Sequence, residues 1–487
     1  MQIKSQTHKF FFTVRKNLYN SNLNLVKNND KILTYLEAKE KVSKIIYKLK
    51  KIKKKRIAIF SGKCANYYVS VLSVLFSGNV WVQISPSMPH DRIKQICKIA
   101  DIKYGIYDES FGNKKQVDKL KLNIFNLKKI LKDDKKSKIR IPNVNVKDTS
   151  MIFFTSGSTG IPKGVEISYE NFTSCLFHQL KNLKYRKNKE VFSDYHDVSF
   201  VMSLVVIFPA VYLNCTISPL VEMNDKMFPA EHLRNNKITV LITVPSFILY
   251  LKEHLRKKIK LNNLILCGEN FPLNILKLIQ SKFKLNNLFN LYGSTETSPW
   301  AFFYNFNEKD INLIKKYGQV PIGKPFNDIN IRLENNNELL INGKIISKGY
   351  FKNKKINKEK FIYIKNKKFY KTGDIIKKEK DVYFCIGRTD TQVKLRGYRI
   401  DTTEVESHIK KIKEINYAFC FLNEKTKNPF LVLIIITDKK NINENLIINY
   451  LKKYVPNYMI PKKIILMKKI KFNKNGKVDK IYYRNKF

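Results

Sequence analysis

Arg56-Ile-Ala-Ile-Phe60 is a short apolar run, and the next one, Val80-Trp-Val-Gln-Ile84, arrives after a helical pattern over 67–76 that stops at Gly78. A strand, a helix and a second strand in that order leave few options, because the helical crossover brings the strands side by side in parallel. The pattern returns in Thr239-Val-Leu-Ile-Thr243, a helix from Ser246, and Asn263-Leu-Ile-Leu-Cys267. An α/β fold of sheets covered by helices is therefore expected. Past Gly387-Arg-Thr-Asp390 the order changes. A short amphipathic helix over 405–412, strands over 417–422 and 430–437, and a helix over 446–454 read as a smaller α+β unit. Two domains follow, 1–389 and 390–487, a division that 487 residues accommodate.

The apolar share, 44% with 12% aromatic, is enough for a large core. The charge needs its own reading: 92 Lys and Arg against 40 Asp and Glu give a formal +52. Such a balance is a mark of nucleic-acid binding when it is clustered. Here the lysines are spread along the chain, and the densest runs, 48–56 and 128–140, read as solvated helix ends or loops, so no nucleic-acid partner is expected. A basic surface does suit an acidic protein partner. Seven scattered cysteines without a Cys-x-x-Cys pair argue against a disulfide framework or a zinc site, and for a reducing cytoplasm. The N-terminus lacks the apolar core of a signal peptide. The longest apolar stretch, 198–213, is broken by Pro209 and reads as a buried element, so no membrane insertion is expected.

Glycine is scarce, yet 13 of the 17 fall in short segments after residue 150. A composition that avoids glycine keeps it where the backbone turns sharply or approaches a ligand closely. The strongest of these segments is Phe153-Phe-Thr-Ser-Gly-Ser-Thr-Gly-Ile-Pro-Lys-Gly164, an apolar strand running into a loop of hydroxyls, glycines and a lysine. Thr155, Ser156, Gly157, Ser158, Thr159, Gly160 and Lys163 supply the donors and the charge that can wrap a phosphate, although the spacing is not that of the Walker-type loop.

This string resembles the phosphate loop of the adenylate-forming superfamily, which includes amino-acid adenylation domains, acyl- and aryl-CoA ligases and luciferases. The other family segments follow in order: 75–92, ending Ser-Pro-Ser-Met-Pro-His-Asp-Arg92; Asn290-Leu-Tyr-Gly-Ser-Thr-Glu296; Glu338-Leu-Leu-Ile-Asn-Gly with Lys348-Gly-Tyr350; Tyr370-Lys-Thr-Gly-Asp374; 387–401; Pro456-Asn-Tyr-Met-Ile-Pro461; and Asn475-Gly-Lys-Val-Asp479. The resemblance implies mixed sheets in the large domain, a small C-terminal domain that moves, and ATP with Mg2+ as cofactors. Glu296 would be the metal ligand, an oxygen donor suited to a hard cation. Tyr292, with Gly293, Asn290, Gly268 and Glu269, would surround the nucleotide, and Tyr292 would offer its flat face to adenine. Asp374 would accept from the ribose hydroxyls, with Arg388 beside the ribose or phosphates. Thr295 and Lys477 would be catalytic, the lysine stabilising charge as the carboxylate attacks the α-phosphorus. Asp390 would be the hinge and Gly397 would face the site during thioester formation.

The ending Asn-Gly-Lys-Val-Asp-Lys480 and the string over 392–400 are similar to the amino-acid-adenylating branch. Leu266-Cys-Gly-Glu269 and Pro245-Ser-Phe247 resemble its D-alanine–carrier-protein ligases, where a cysteine at the place of Cys267 borders the substrate. Cys267 is equally a small buried hydrophobe. That branch carries Phe-Asp-x-Ser ahead of the substrate pocket. Alignment without a gap gives Phe200-Val-Met-Ser203, with Val201 in place of the acid, while Asp197 lies four residues earlier, one turn away if the segment is helical. The chain ends ten residues after Lys477, so the expected acceptor is the phosphopantetheine of a carrier protein acting in trans on a monomeric enzyme. The expected reaction is ATP-dependent adenylation of a small carboxylic acid, an amino acid by branch, followed by transfer to that thiol. An acyl- or aryl-CoA ligase differs only in the acceptor; a basic nucleic-acid-binding protein would be a different class altogether.

Overall fold

The computed structural model describes residues 5–29, 31–157, 159–252, 255, 257–424, 426, 428–439, 441–468, 471 and 480–487. Lys477 and Ser158 lie outside them. The chain divides into two compact units. The first comprises 1–86, 99–153 and 164–389. The second comprises 390–487 together with two short N-terminal segments, 87–98 and 154–163.

The first unit carries three sheets. A seven-stranded sheet has the order Gly349–Tyr350, Lys163–Ser168, Thr149–Thr155, Val80–Ile84, Arg56–Phe60, Tyr104–Tyr107, Asn123–Asn126. Its central pairs are parallel, with Ala58 beside Val82 and Val82 beside Ile152. The intervening helix Ala65–Phe76 crosses over between two neighbouring strands of this sheet and is buried at every position from Tyr67 to Phe76. A nine-stranded sheet is centred on Val191–Asp194, Val240–Thr243, Ile259–Cys267 and Phe283–Tyr292, all parallel to their neighbours in this group. Its antiparallel edge strands make it mixed. A third, antiparallel sheet spans 330–388. The apolar 198–213 stretch forms turns and then the buried helix Ser203–Leu213. Among the described residues no helix is long and apolar enough to cross a membrane.

In the second unit, the hairpin Gln392–Leu395 with Tyr398–Asp401 precedes the helix Thr402–Ile409. A three-stranded sheet follows, in the order Tyr417–Asn423, Phe430–Ile436, Lys463–Met467. The helices begin three and two residues earlier than the apolar pattern marks them, at Thr402 and Glu444, because Asp401 and Asn443 cap their first turns with side-chain acceptors. The core of this unit gathers Ile400, Val405, Ile409, Leu433 and Leu451.

Candidate active site

The parallel strands of the first unit point their carboxyl ends one way within each sheet, and the site residues follow those ends, where open α/β sheets bind ligands. Gly268 and Glu269 follow Ile259–Cys267, and Gly293 to Glu296 follow Phe283–Tyr292.

Glu296 lies in a one-turn 3-10 helix, Thr295–Thr297, that Ser294 caps. Its side chain is 1% exposed, and its Oε1 accepts from the Tyr350 hydroxyl at 2.6 Å. The backbone N–H of Ser347 donates to the Glu296 carbonyl at 2.8 Å, so the 347–350 segment is tied to this turn at both ends. Thr295, between the capping serine and Glu296, is half-buried. Tyr292, buried, donates its hydroxyl to Asp374 Oδ2 at 2.5 Å. Burial first, and Asp374 second, push that hydroxyl far above the usual tyrosine range, so it stays a donor. Asp374 faces Arg388 across the antiparallel pair, and the guanidinium donates to its other oxygen and to the Thr372 carbonyl. A carboxylate has about four acceptor positions, so two protein donors leave room for ribose hydroxyls.

Asn290 and Glu269 take on local structural work. Asn290 donates its side-chain amide to the Pro321 carbonyl at 2.9 Å. Glu269 accepts from the Ser246 N–H at 3.0 Å and from the Ser246 hydroxyl at 3.1 Å, capping the helix Pro245–Lys252. Cys267 is buried, its Sγ 3.8 Å from the Thr243 carbonyl and 4.0 Å from Met202 Sδ. The structure thus brings Cys267 together with the turn that carries Val201, which is 8% exposed and part of the large apolar core. Asp197 sits in the turns ahead of the helix rather than one helical turn from Val201. Its Oδ1 accepts from the Ser199 N–H at 2.9 Å and hydroxyl at 2.6 Å, and its Oδ2 from the Ser85 hydroxyl at 2.8 Å.

Near Asp197 is a cluster that no motif marked. The Lys63 ammonium is 3.0 Å from Asp194 Oδ1, and the Tyr68 hydroxyl donates to Asp194 Oδ2 at 2.7 Å. Burial, then the Lys63 charge, hold the His196 imidazole down to about 4, so it is neutral at pH 7. A strand-end position after an apolar run was the available signal for Lys63 and Asp194, but in so basic a chain one lysine is not conspicuous.

The phosphate loop belongs to the second unit. A Cβ at Gly157 would lie 2.1 Å from the Ile161 carbonyl oxygen, so the loop can close only on glycine there. The Gly157 N–H donates to Glu404 Oε2 at 2.9 Å, and Glu404 Oε1 is 2.6 Å from Arg92 Nη1. Both side chains are almost wholly buried, so each charge depends on the other. The Ser156 hydroxyl accepts from the Asp401 N–H and donates to the Arg399 carbonyl, both at 3.1 Å. The Thr155 hydroxyl bends back to the Lys163 carbonyl at 3.4 Å, Thr159 is exposed, and Gly160 packs beside His408. Asp390 accepts from the Gln392 N–H at 3.2 Å, closing the start of the hairpin. Arg396 and Gly397 are its two turn residues, both with positive φ, +51° and +80°. That is the two-residue turn that matches strand twist, and glycine carries the second position without strain. The loop therefore presents its Gly157 N–H to an oxyanion, here a carboxylate of its own unit.

Comparison with known proteins agrees with these motifs. The family model described as AMP-binding enzyme matches residues 15–351. D-alanine–D-alanyl carrier protein ligase of Staphylococcus aureus (strain JH9) is 29% identical over 463 residues, covering 92% of this chain and 93% of that protein. Among solved structures, the Vibrio cholerae adenylation domain AlmE, in complex with glycyl-adenosine-5'-phosphate, superposes with a TM-score of 0.85 at 19% identity, covering 100% of this chain and 98% of that one. The o-succinylbenzoate CoA synthetase of Bacillus subtilis gives 0.82 at 18% identity, covering 96% of each. The likeness to both is one of fold. With a family model matching most of its length, the chain belongs to the AMP-binding enzymes and is an ATP-dependent adenylate-forming ligase.

Proposed function

We propose that this ligase activates a small α-amino acid as its acyl-adenylate and passes the acyl group to the phosphopantetheine thiol of a separate carrier protein in the cytoplasm. The observation that carries the reading is the near full-length similarity to a D-alanine–D-alanyl carrier protein ligase. The pocket chemistry agrees with it. Cys267 and Met202 narrow the apolar side. Asp197, a carboxylate oriented by Ser85 and Ser199 and only partly buried, is the group we assign to the substrate ammonium. Val201 sits within the apolar core and is assigned to packing.

Magnesium suits Glu296, a hard oxygen donor held by the Tyr350 hydroxyl. Among the described residues no group of three or more His, Cys, Asp or Glu side chains is placed to hold a metal. An ion held by Glu296 would take its remaining ligands from water and the phosphates of ATP. When bound, the ion would neutralise phosphate charge. Asp374 and Arg388 are assigned to the ribose, and the phosphate loop to the departing phosphates. Lys477 is assigned to the α-phosphate during adenylation, with Asp390 as the hinge between a 1–389 domain and a 390–487 domain. The acceptor is tested by loading. With ATP, Mg2+ and D-alanine, alanine, glycine, D-lactate or propionate in turn, mass spectrometry of a phosphopantetheinylated carrier should show an added small aminoacyl group and free CoA should stay unmodified. Acyl-CoA formation with an unmodified carrier would instead establish a CoA ligase.

A further inference from the structure

Within the first unit, side chains at the carboxyl edge of the seven-stranded sheet reach the loop that carries Asp197. Lys63 stands between the strand Arg56–Phe60 and the helix Ala65–Phe76, and its side chain is 10% exposed. Its ammonium meets the end of Val191–Asp194 in the nine-stranded sheet. There it donates to the Asp194 carbonyl at 2.9 Å and to the His196 carbonyl, and it lies 3.0 Å from Asp194 Oδ1. An ammonium has three hydrogens, so two of them are spent on backbone.

The His196 carbonyl belongs to the planar peptide that leads into Asp197, so holding its direction fixes one side of the Asp197 backbone. On the other side the Tyr67 hydroxyl donates to the Val198 carbonyl at 3.4 Å. The Asp197 carbonyl accepts from the Phe200 N–H at 2.9 Å. Ser85, one residue past the strand Val80–Ile84, donates to the carboxylate itself. The seven-stranded sheet and its crossover helix thus grip this loop before, at and after Asp197. Asp194, 1% exposed, accepts from the Tyr68 hydroxyl and offsets the lysine charge. Lys63 can be a counter-ion for buried Asp194, or a clamp on the backbone ahead of Asp197. The geometry favours the clamp, because the His196 carbonyl lies two residues beyond Asp194 and an ion pair does not require it.

We infer that Lys63 is a positioning residue for the substrate: through the Asp194 and His196 carbonyls it sets the Asp197 carboxylate, and so the binding of an α-ammonium. The inference rests on the assignment of Asp197 to that ammonium. A lysine that acts through Asp197 bears on the KM of the amino acid and not on ATP.

The test is pyrophosphate exchange by the full chain, with D-alanine, alanine and glycine each varied at saturating Mg2+ and ATP. Lys63→Met keeps a long side chain without its charge. It should raise KM for the amino acid about tenfold, the loss of hydrogen bonds from a charged donor, with kcat and the KM for ATP nearly unchanged. Lys63→Met with Asp194→Asn removes both charges and leaves neither buried without its partner, and its KM should stay raised. An unchanged KM in the single variant would overturn the inference. A wild-type KM in the double variant would do the same, because the lysine would then only neutralise Asp194. A third arm separates the inference from the reading it rests on. In an Asp197→Asn background, Lys63→Met should raise KM by less than about twofold more, since residues that act through one contact are not additive. A fully additive loss there overturns the role of Lys63 and leaves Asp197 in place. An Asp197→Asn enzyme with unchanged amino-acid KM overturns the assignment of Asp197, and this inference with it.

Discussion

Asp197 and Glu296 are both carboxylates set by hydroxyl donors, and their surroundings give them different work. Asp197, partly buried among Ser85 and Ser199, is assigned to the substrate amine. Asp197→Asn should raise KM for the amino acid by the equivalent of about 2–5 kcal/mol and leave KM for ATP unchanged. Exchange assays at varied amino acid and ATP separate the two, and a loss of ATP affinity would show that this turn is structural. Glu296→Gln offers magnesium a poorer ligand, so activity should fall and recover in part at higher Mg2+. An unaltered Mg2+ dependence would remove it from the metal site. A third residue reads out in stability. His408 is buried against Tyr454, and burial, with Lys411 and Arg92 adding to it, lowers its imidazole to about 4. The unfolded chain takes up that proton first, near 6.5, so stability is lost as pH falls from about 6.5 towards 4, roughly 2 kcal/mol by pH 5. His408→Phe keeps the ring and should flatten this slope in urea unfolding at pH 7 and 5; an unchanged slope would contradict it. Glu296 stood out in the sequence because its segment is rare in type and order. Its partner Tyr350 stands 54 residues away, and no local pattern joins them.

At the scale of elements, strand–helix–strand alternation in the sequence already implies parallel sheets, and the apolar periods locate the C-terminal helices and strands to within a few residues. Caps moved those boundaries: a polar Asp401 or Asn443 starts a helix before the apolar face begins. What alternation does not encode is the grouping of 87–98 and 154–163 with the C-terminal unit. That grouping rests on contacts such as Arg92 with Glu404, 312 residues apart, between charges whose burial cannot be read from a basic sequence. Arg92→Ala leaves the Glu404 carboxylate buried without its cation and should destabilise the chain by about 3–5 kcal/mol. Arg92→Met with Glu404→Leu removes both charges and should cost much less. Chemical unfolding of the two variants checks this, and equal losses would mean that packing rather than charge pairing holds the segment.

Across the whole molecule, a formal charge of +52 says little about fold. It does bear on encounter with an acidic carrier. Raising salt from about 50 to 300 mM should slow carrier loading several-fold while amino-acid-dependent exchange stays nearly constant, because screening acts on association between surfaces rather than on the enclosed chemistry. Equal salt sensitivity of both steps would place the effect elsewhere. The family, the fold class and the adenylate-forming reaction were legible in the ordered segments, since loops rich in glycine, hydroxyls and charge rarely recur in one fixed order along a chain. The substrate was less so: an apolar pocket needs only shape, and Met202 and Cys267, proposed to border it, look like ordinary core. The central claim is tested most directly by exchange of labelled pyrophosphate into ATP. The account predicts exchange that requires Mg2+ and a small amino acid, and that falls about 10²–10³-fold in Lys477→Ala with ATP affinity kept. No exchange with any amino acid, or full exchange in that variant, would contradict it.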